Sequence, residues 1–435
     1  MRNIVLITLD SLRADHCSFM GYHRKTTPNL DKMVKKGIVF KNAIAPAPRT
    51  IPSMPQIFTG KLMNFIEVSK SKSKDVGWRK DTILHLQQNK TISEMLSSKG
   101  YSTAAFCSNA FTSRYFGFNK GFDYFQDFLF SRESHQKIFE KMIKGSKLFS
   151  YIRNIRNLIL KQEAFKTWES YYEEIIEWVE RAKEPFFLWV FLLDTHLPWI
   201  VPKKFRKWGN FFDMYYCGWK IFRLLKKENA TISEKTKMKF INTYDDSICY
   251  TDYFVGNLQK NLESYDPIFV VHADHGEEFG ERGFYGHYYP HLYEENIHVP
   301  WIIYNVDEKD VVEKPISLIR LPEITLNLAV NDSFSLDNII TRNEEIVLSK
   351  DFDYKSKRYV VAVRMKDWKF ITGQKSEDEL YNLKKDTNER ENLVNEYPEL
   401  AREMKRIVEK HMKLGMEKKR IQNIVSSLGY NYAQR

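Results

Sequence analysis

Asn3-Ile-Val-Leu-Ile-Thr-Leu-Asp10 is a continuous apolar run closed by an aspartate. A strand covered on both faces reads this way, whereas a strand with one wet face alternates. Two further runs end alike: residues 186–193 before Asp194, and residues 268–273 before Asp274. Residues 299–304 form a fourth. Helical patterns lie between them, at 28–36, 92–99, 169–182 and 250–264. Strands alternating with helices predict an α/β fold with a mostly parallel central sheet flanked by helices. Ligands collect at the carboxyl ends of strands in such sheets, so three buried strands ending in Asp are the first functional hint.

Outward from these strands, two basic and aromatic stretches read as helical insertions, at about 136–168 and 203–227. Beyond about residue 335 the pattern changes to short alternating strands, at 345–349, 358–364 and 368–372. A charged helix follows over 398–413. The chain thus divides into a catalytic α/β domain, 1–335, and a small α+β C-terminal subdomain, 336–435. No internal repeat is visible.

A length of 435 residues allows a large core, and 43% apolar with 28% charged residues excludes a disordered or low-complexity chain. No apolar run reaches the ~18 residues that span a bilayer, and the chain opens on a strand rather than a signal core. Cys17, Cys107, Cys217 and Cys249 are far apart and form no CxxC pair. This disfavours a disulfide scaffold and a structural zinc site, and a cytoplasmic location is expected. Lys and Arg number 67 against 56 Asp and Glu, a net +11. That excess suits nucleic acid, an anionic membrane surface or an anionic substrate. Without an RNA-binding aromatic signature or a zinc finger, nucleic acid is the least favoured.

Two stretches can carry chemistry. In Asp274-His275-Gly276-Glu277-Glu278, an adjacent carboxylate and imidazole, turned by a glycine, can face one divalent cation. Asp10 could supply a third ligand, or merely cap a helix. In Pro48-Arg-Thr-Ile-Pro-Ser-Met-Pro-Gln-Ile-Phe-Thr-Gly60, a proline-rich loop enters an apolar helix whose free N–H groups favour an anion. A hydroxyl at Thr50, if held on a metal, could act as a nucleophile. Alternatively Ser53 caps the helix and Thr50 is a loop residue. The local sequence leaves both open.

Asn3–Asp10 resembles the opening of the sulfatase family within the alkaline phosphatase superfamily. The resemblance continues in order through Thr27-Pro-Asn-Leu-Asp31, Gly37-Ile-Val-Phe40, Thr50-Ile-Pro-Ser53, Thr59-Gly60 and Gly100-Tyr-Ser-Thr103. Asp194-Thr-His-Leu-Pro198, Ala273-Asp-His-Gly-Glu277, Tyr293-Glu-Glu295 with Val299-Pro300, and the tail from Glu379 to Asn392 complete it. The resemblance implies that Asp10, Asp274 and His275 bind a divalent metal. It places Thr50 at the nucleophile position, in reach of that metal. It places His196 and His287 where groups contact the anionic ester or its leaving group. Relatives often carry Lys where His287 stands.

Departures from the family pattern are equally informative. Many sulfatases convert a Cys or Ser to formylglycine within Cys/Ser-x-Pro-x-Arg; here the positions hold Thr50 and Met54. Thr cannot yield an aldehyde, so no formylglycine is expected. Ser11 stands where a second Asp is common. One carboxylate fewer, beside an imidazole, favours one Mn²⁺ or Zn²⁺ ion, with Ca²⁺ or Mg²⁺ less suited. Cys107-Ser-Asn-Ala110 replaces a Lys- and His-bearing motif, and leaves Asn109 as the polar candidate for the ester oxygens. A phosphoryl-Thr can be resolved by in-line displacement, so phosphate diesters or monoesters are favoured over sulfate esters. The expected partner is an anionic ester, carried on a glycan or a lipid headgroup. A headgroup transferase uses the same first half-reaction, and a non-catalytic binding protein would leave the site residues idle.

Residues 210–227 remain. Phe211, Met214, Tyr215, Trp219, Phe222 and Leu225 approximate a helical stripe, with Lys220, Arg223, Lys226 and Lys227 nearby. Such a stripe packs on the domain, lies on an anionic membrane as a peripheral contact, or covers the site as a lid.

Overall fold

The computed structural model describes residues 1–70, 72–127, 167–330, 335–336, 346–354, 356–373 and 377–427. The first predicted insertion, at 136–168, falls almost wholly outside them.

Ten strands lie in two sheets or hairpins of the large unit. They are β1 (Ile4–Leu9), β2 (Gly37–Ile44), β3 (Ser102–Cys107), β4 (Tyr124–Asp127), β5 (Phe186–Leu192), β6 (Ile268–Ala273), β7 (Glu278–Phe279), β8 (Tyr285–Gly286), β9 (His298–Tyr304) and β10 (Asp310–Ser317). Eight of these build the central sheet in the order β10-β2-β9-β6-β1-β5-β3-β4. Only β9 runs against its neighbours. β1, β5 and β6 are buried along their whole length, as runs without alternation require. Their register is level: Leu9 pairs with both Leu192 and Ala273. Asp10 and Asp274, one residue further on, therefore leave the sheet side by side.

β3, Ser-Thr-Ala-Ala-Phe-Cys, escapes an apolar-run criterion because its small residues carry little hydrophobic signal, yet its last five are buried. Four helices matter for the site: α1 (Thr50–Thr59), α2 (Phe211–Leu224), α3 (Glu234–Asn261) and α4 (Pro398–Ser427). The pattern at 250–264 is the C-terminal half of α3. Its N-terminal turns are polar and largely solvated, which hides them from a hydrophobic reading.

The antiparallel C-terminal sheet runs β11-β12-β13-β14: Ile346–Asp353, Arg358–Met365, Trp368–Thr372 and Glu379–Asn382. One face carries Val361, Val363, Phe370 and Leu380 against Ala401, Met404 and Val408 of α4. The other joins Val360, Ala362 and Ile371 to the main core. Buried ion pairs cross this seam. Arg49 reaches Asp351 with Nε at 2.9 Å. Lys369 Nζ lies 3.0 Å from Glu294 and 2.8 Å from Glu389, and Arg364 lies 2.6 Å from Glu294.

α2 corrects the expected stripe. Its inward face is Asp213, Met214, Cys217, Gly218, Ile221 and Leu224. Phe211, Trp219 and Phe222, three members of the expected stripe, are turned to solvent. Both faces of this helix are apolar, so periodicity alone could not say which one faces in.

Candidate active site

The site forms where β1 and β6 end. Ser11 adopts φ +58, the left-handed region that a residue with a Cβ seldom occupies. The bend turns its N–H to Asp274 Oδ1 at 3.1 Å, while its hydroxyl donates to Asp10 Oδ1 at 2.8 Å. Asn109 Nδ2 donates to the other oxygen, Asp10 Oδ2, at 2.6 Å, and Thr195 donates to the Asp10 carbonyl at 2.6 Å. Asp274 Oδ1 also accepts from the His275 N–H at 2.9 Å. Its Oδ2 is buried without a hydrogen bond of ordinary geometry.

His275 Nδ1 lies 2.8 Å from the Gly276 carbonyl, which can only accept, so Nδ1 holds the proton. Nε2 then presents its lone pair to the cluster, 3.6 Å from Asp10 Oδ1 and 3.5 Å from Asp274 Oδ2. Burial drives all three groups toward neutrality. Asp274 is pushed up to about 7, Asp10 is raised by burial and by Asp274, and His275 is pushed down to about 3 by burial and by His287. One ligand atom from each residue lies within 4.8 Å of the others. Two buried carboxylates with an orphaned oxygen, beside an imidazole lone pair, fit a divalent cation. A bound cation would reverse the carboxylate shifts.

Thr50 opens α1, with Arg49 as its N-cap. Its Oγ1 lies 3.1 Å from His275 Nε2. Ser53 does not cap the helix: its buried hydroxyl donates to the Asp274 carbonyl at 2.7 Å, so Thr50 is the hydroxyl that borders the cluster. Gly276, next to His275, packs against the Glu295 backbone, where a Cβ would meet the Glu295 carbonyl at 2.0 Å. Arg49 Nη1 also reaches the Tyr288 carbonyl, at 3.4 Å, and ties α1 to the hairpin that carries His287.

His287 and His196 form the opposite wall. Their rings are 5.0 Å apart, and the His287 ring is 4.5 Å from that of His275. Burial alone would lower His196, but Asp10 and Glu277 raise it. His287 is pushed down to about 3 by burial and by His196. Its Nδ1 lies 3.1 Å from Glu277 Oε1, whose carboxyl burial pushes up to about 8. Asp10 and Glu277 thus favour the protonated form of His196, while burial favours the neutral form of His287.

The structure brings Asp10, Thr50, His196, Asp274, His275 and His287 to one place. Asn109 stands behind Asp10: its amide is spent on that carboxylate, and its Oδ1 accepts from the Phe111 N–H at 2.8 Å. Asp194 does not join them. Among the described residues the metal-competent cluster holds Asp10, Asp274 and His275, whereas Asp194 accepts from the Trp168 N–H. Ser11, which the sequence marks only as the replacement of a second Asp, orients Asp10, and Glu277, which lies within a motif, holds His287; neither contact has a sequence signal.

An arylsulfatase of Clostridium perfringens is 25% identical over 472 residues, with 94% of each chain covered. Phosphoethanolamine transferase EptA of Helicobacter pylori is 29% identical over 173 residues, 37% of this chain and 30% of that one. The phosphonate monoester hydrolase of Agrobacterium radiobacter shares the fold, with a TM-score of 0.68 at 16% identity over 96% of both chains. The family described as Sulfatase matches residues 2–329. On that match the chain belongs to the sulfatase family, a family of ester hydrolases.

Proposed function

We propose that this sulfatase-family hydrolase cleaves phosphoesters, diesters or monoesters, in preference to sulfate esters, with Thr50 as nucleophile. The observation that carries the reading is Thr50 itself: a residue that cannot become formylglycine, opening α1 with its Oγ1 3.1 Å from His275 Nε2. Asp10, Asp274, His275 and the Thr50 hydroxyl would hold one Mn²⁺ or Zn²⁺, which supplies charge stabilisation to the alkoxide and the ester oxygens. Thr50 gives up its hydroxyl proton to solvent, and its Oγ then forms a bond to phosphorus while the bond to the leaving oxygen breaks. His196, whose protonated form Asp10 and Glu277 favour, gives its proton to that oxygen. Water then attacks the phosphoryl-Thr in line and loses a proton to the same ring, and Thr50 is regenerated. His287, braced by Glu277, contacts an ester oxygen, and Asn109 holds Asp10 in place. A sulfate ester on Thr50 lacks the carbon–oxygen cleavage open to a formylglycine hydrate, which is why phosphate is preferred.

A headgroup transferase differs only in the acceptor, another hydroxyl in place of water, and the likeness to EptA favours keeping it as the second reading. The test is turnover of p-nitrophenyl phosphodiester, phosphomonoester and sulfate. Chelation should abolish activity, and Mn²⁺ or Zn²⁺ should restore it. Mass spectrometry should find Thr50 unmodified. Faster sulfate than phosphate turnover would overturn the reading.

A further inference from the structure

On a 100° helical projection, the outward arc of α2 and its C-terminal turn holds Phe211, Phe212, Tyr215, Tyr216, Trp219 and Phe222, interleaved with Arg223 and Lys226. Phe212 is 80% exposed, Phe222 51% and Trp219 41%. Burying these rings would be favourable, and leaving them in water on a folded domain calls for an occupant. The charges say which. The one acid of α2, Asp213, is turned inward and paired with Lys239, so the outward arc carries cations alone. Arg223 lies over Trp219 at 4.4 Å, and Arg206 lies over Phe211 at 5.3 Å from the flanking loop. Aromatic rings with guanidinium and ammonium groups at their edges match the boundary between acyl chains and anionic headgroups.

We infer that the outward face of α2 docks on an anionic lipid surface. No helix among the described residues is long and apolar enough to cross a membrane, so the contact is peripheral. The inward face fixes α2 to the site. Gly218 lies against Pro198, two residues beyond His196, and Leu225 fills the space beside Gly286, which precedes His287. Lys226 sits over the Tyr288 ring at 5.5 Å. A docked α2 therefore holds the rim of the candidate site at the interface. If the proposed phosphoester chemistry holds, its substrate is an ester carried on a lipid headgroup. The docking itself does not depend on that chemistry.

The test is co-sedimentation of the full chain with vesicles of equal parts phosphatidylcholine and phosphatidylglycerol, at low and at high salt. The wild type should bind the anionic vesicles, less so at high salt because attraction is screened beyond a Debye length of ~10 Å at 0.1 M. Phe212→Ser combined with Trp219→Ser should lower the partition coefficient by about tenfold or more. Arg223→Glu should weaken binding roughly fivefold or more at low salt, and much less at high salt. Both variants should keep their fold by thermal melting, and their turnover of soluble p-nitrophenyl esters should match wild type. That readout fails alone if the catalytic reading is wrong, and sedimentation fails alone if this one is. No binding at low salt, unchanged binding of the double-serine variant, or a concentration-dependent dimer without lipid binding would each overturn the inference.

Discussion

Arg49 and Thr50 are adjacent in the chain, yet they border two opposite kinds of buried charge. On the Arg49 side, at the seam with the C-terminal sheet, Asp351 meets Arg49 and Glu294 lies between Arg364 and Lys369. Burial would raise Glu294, but Arg364 and Lys369 hold it below the usual carboxylate range. On the Thr50 side, Asp10 and Asp274 share a pocket with His275 and His287, which burial pushes down, and both carboxyls are raised. Glu294 and Asp274 are both buried yet shift in opposite directions, because Arg364 and Lys369 outweigh burial at Glu294 whereas burial dominates at Asp274. Paired buried ions hold two sheets together; unpaired carboxylates make a place for a cation.

The sharpest way to break this contrast is to remove the hydroxyl that borders the unpaired cluster. Thr50→Ala should cost about a thousandfold or more in kcat/KM with little change in melting temperature. If Ser53→Ala lost activity and Thr50→Ala kept it, the nucleophile would be misassigned. At the seam the effect should fall on stability instead. Lys369→Met removes the nearest base of Glu389 and one of the two bases of Glu294, and should cost about 3–5 kcal/mol in urea unfolding, leaving turnover of the folded fraction intact. A loss no larger than that of a surface substitution would deny the seam its structural role.

Lys350 tests the contrast within β11 itself. Its buried amine meets Asn64 Oδ1 at 3.3 Å and His411 Nε2 at 3.4 Å, and burial pushes it down to about 8. The folded group titrates below the unfolded one, so between about pH 8 and about 10.4 the unfolded chain binds more protons and stability rises with pH. Lys350→Met should therefore stabilise the protein at pH 7 by about 1–3 kcal/mol, with a gain that fades as the pH passes 10. A pH-independent gain would assign the effect to packing. The smallest effect on stability belongs to the site. Asp274→Asn should abolish turnover yet raise the stability of the metal-free protein by about 1 kcal/mol, because one uncompensated buried acid is gone. Calorimetry of the chelated protein decides it, and a destabilised variant would mean that Asp274 is structural.

The central strands were readable because burial on both faces leaves an uninterrupted apolar run, and β1, β5 and β6 are of that kind. The alignment of their ends was not readable, since register depends on pairing across 181 and 264 residues. Hence three terminal aspartates looked alike, while Asp10 and Asp274 meet and Asp194 does not. The ordered motifs named Thr50, His275, His196 and His287. The oxygen-by-oxygen division of Asp10 between Ser11 and Asn109 has no local signature, and neither has the Arg49–Asp351 pair. The outward turn of Trp219 was hidden for a different reason: an apolar residue is compatible with either face of α2 until a neighbouring element occupies one of them.

The Arg49–Asp351 pair also has a consequence in time. Its members are separated by 302 residues. At about 5–20 residues per second of synthesis, Arg49 leaves the ribosome about 15–60 s before its counterion does. Through that interval the N-cap residue of the Thr50 helix has no carboxylate to hold it, and the loop it anchors, with the Tyr288 carbonyl at the other end of the guanidinium, is not yet pinned. A ribosome-bound or truncated product that stops short of residue 351 therefore lacks the clasp that sets the Thr50 helix against the rest of the candidate site.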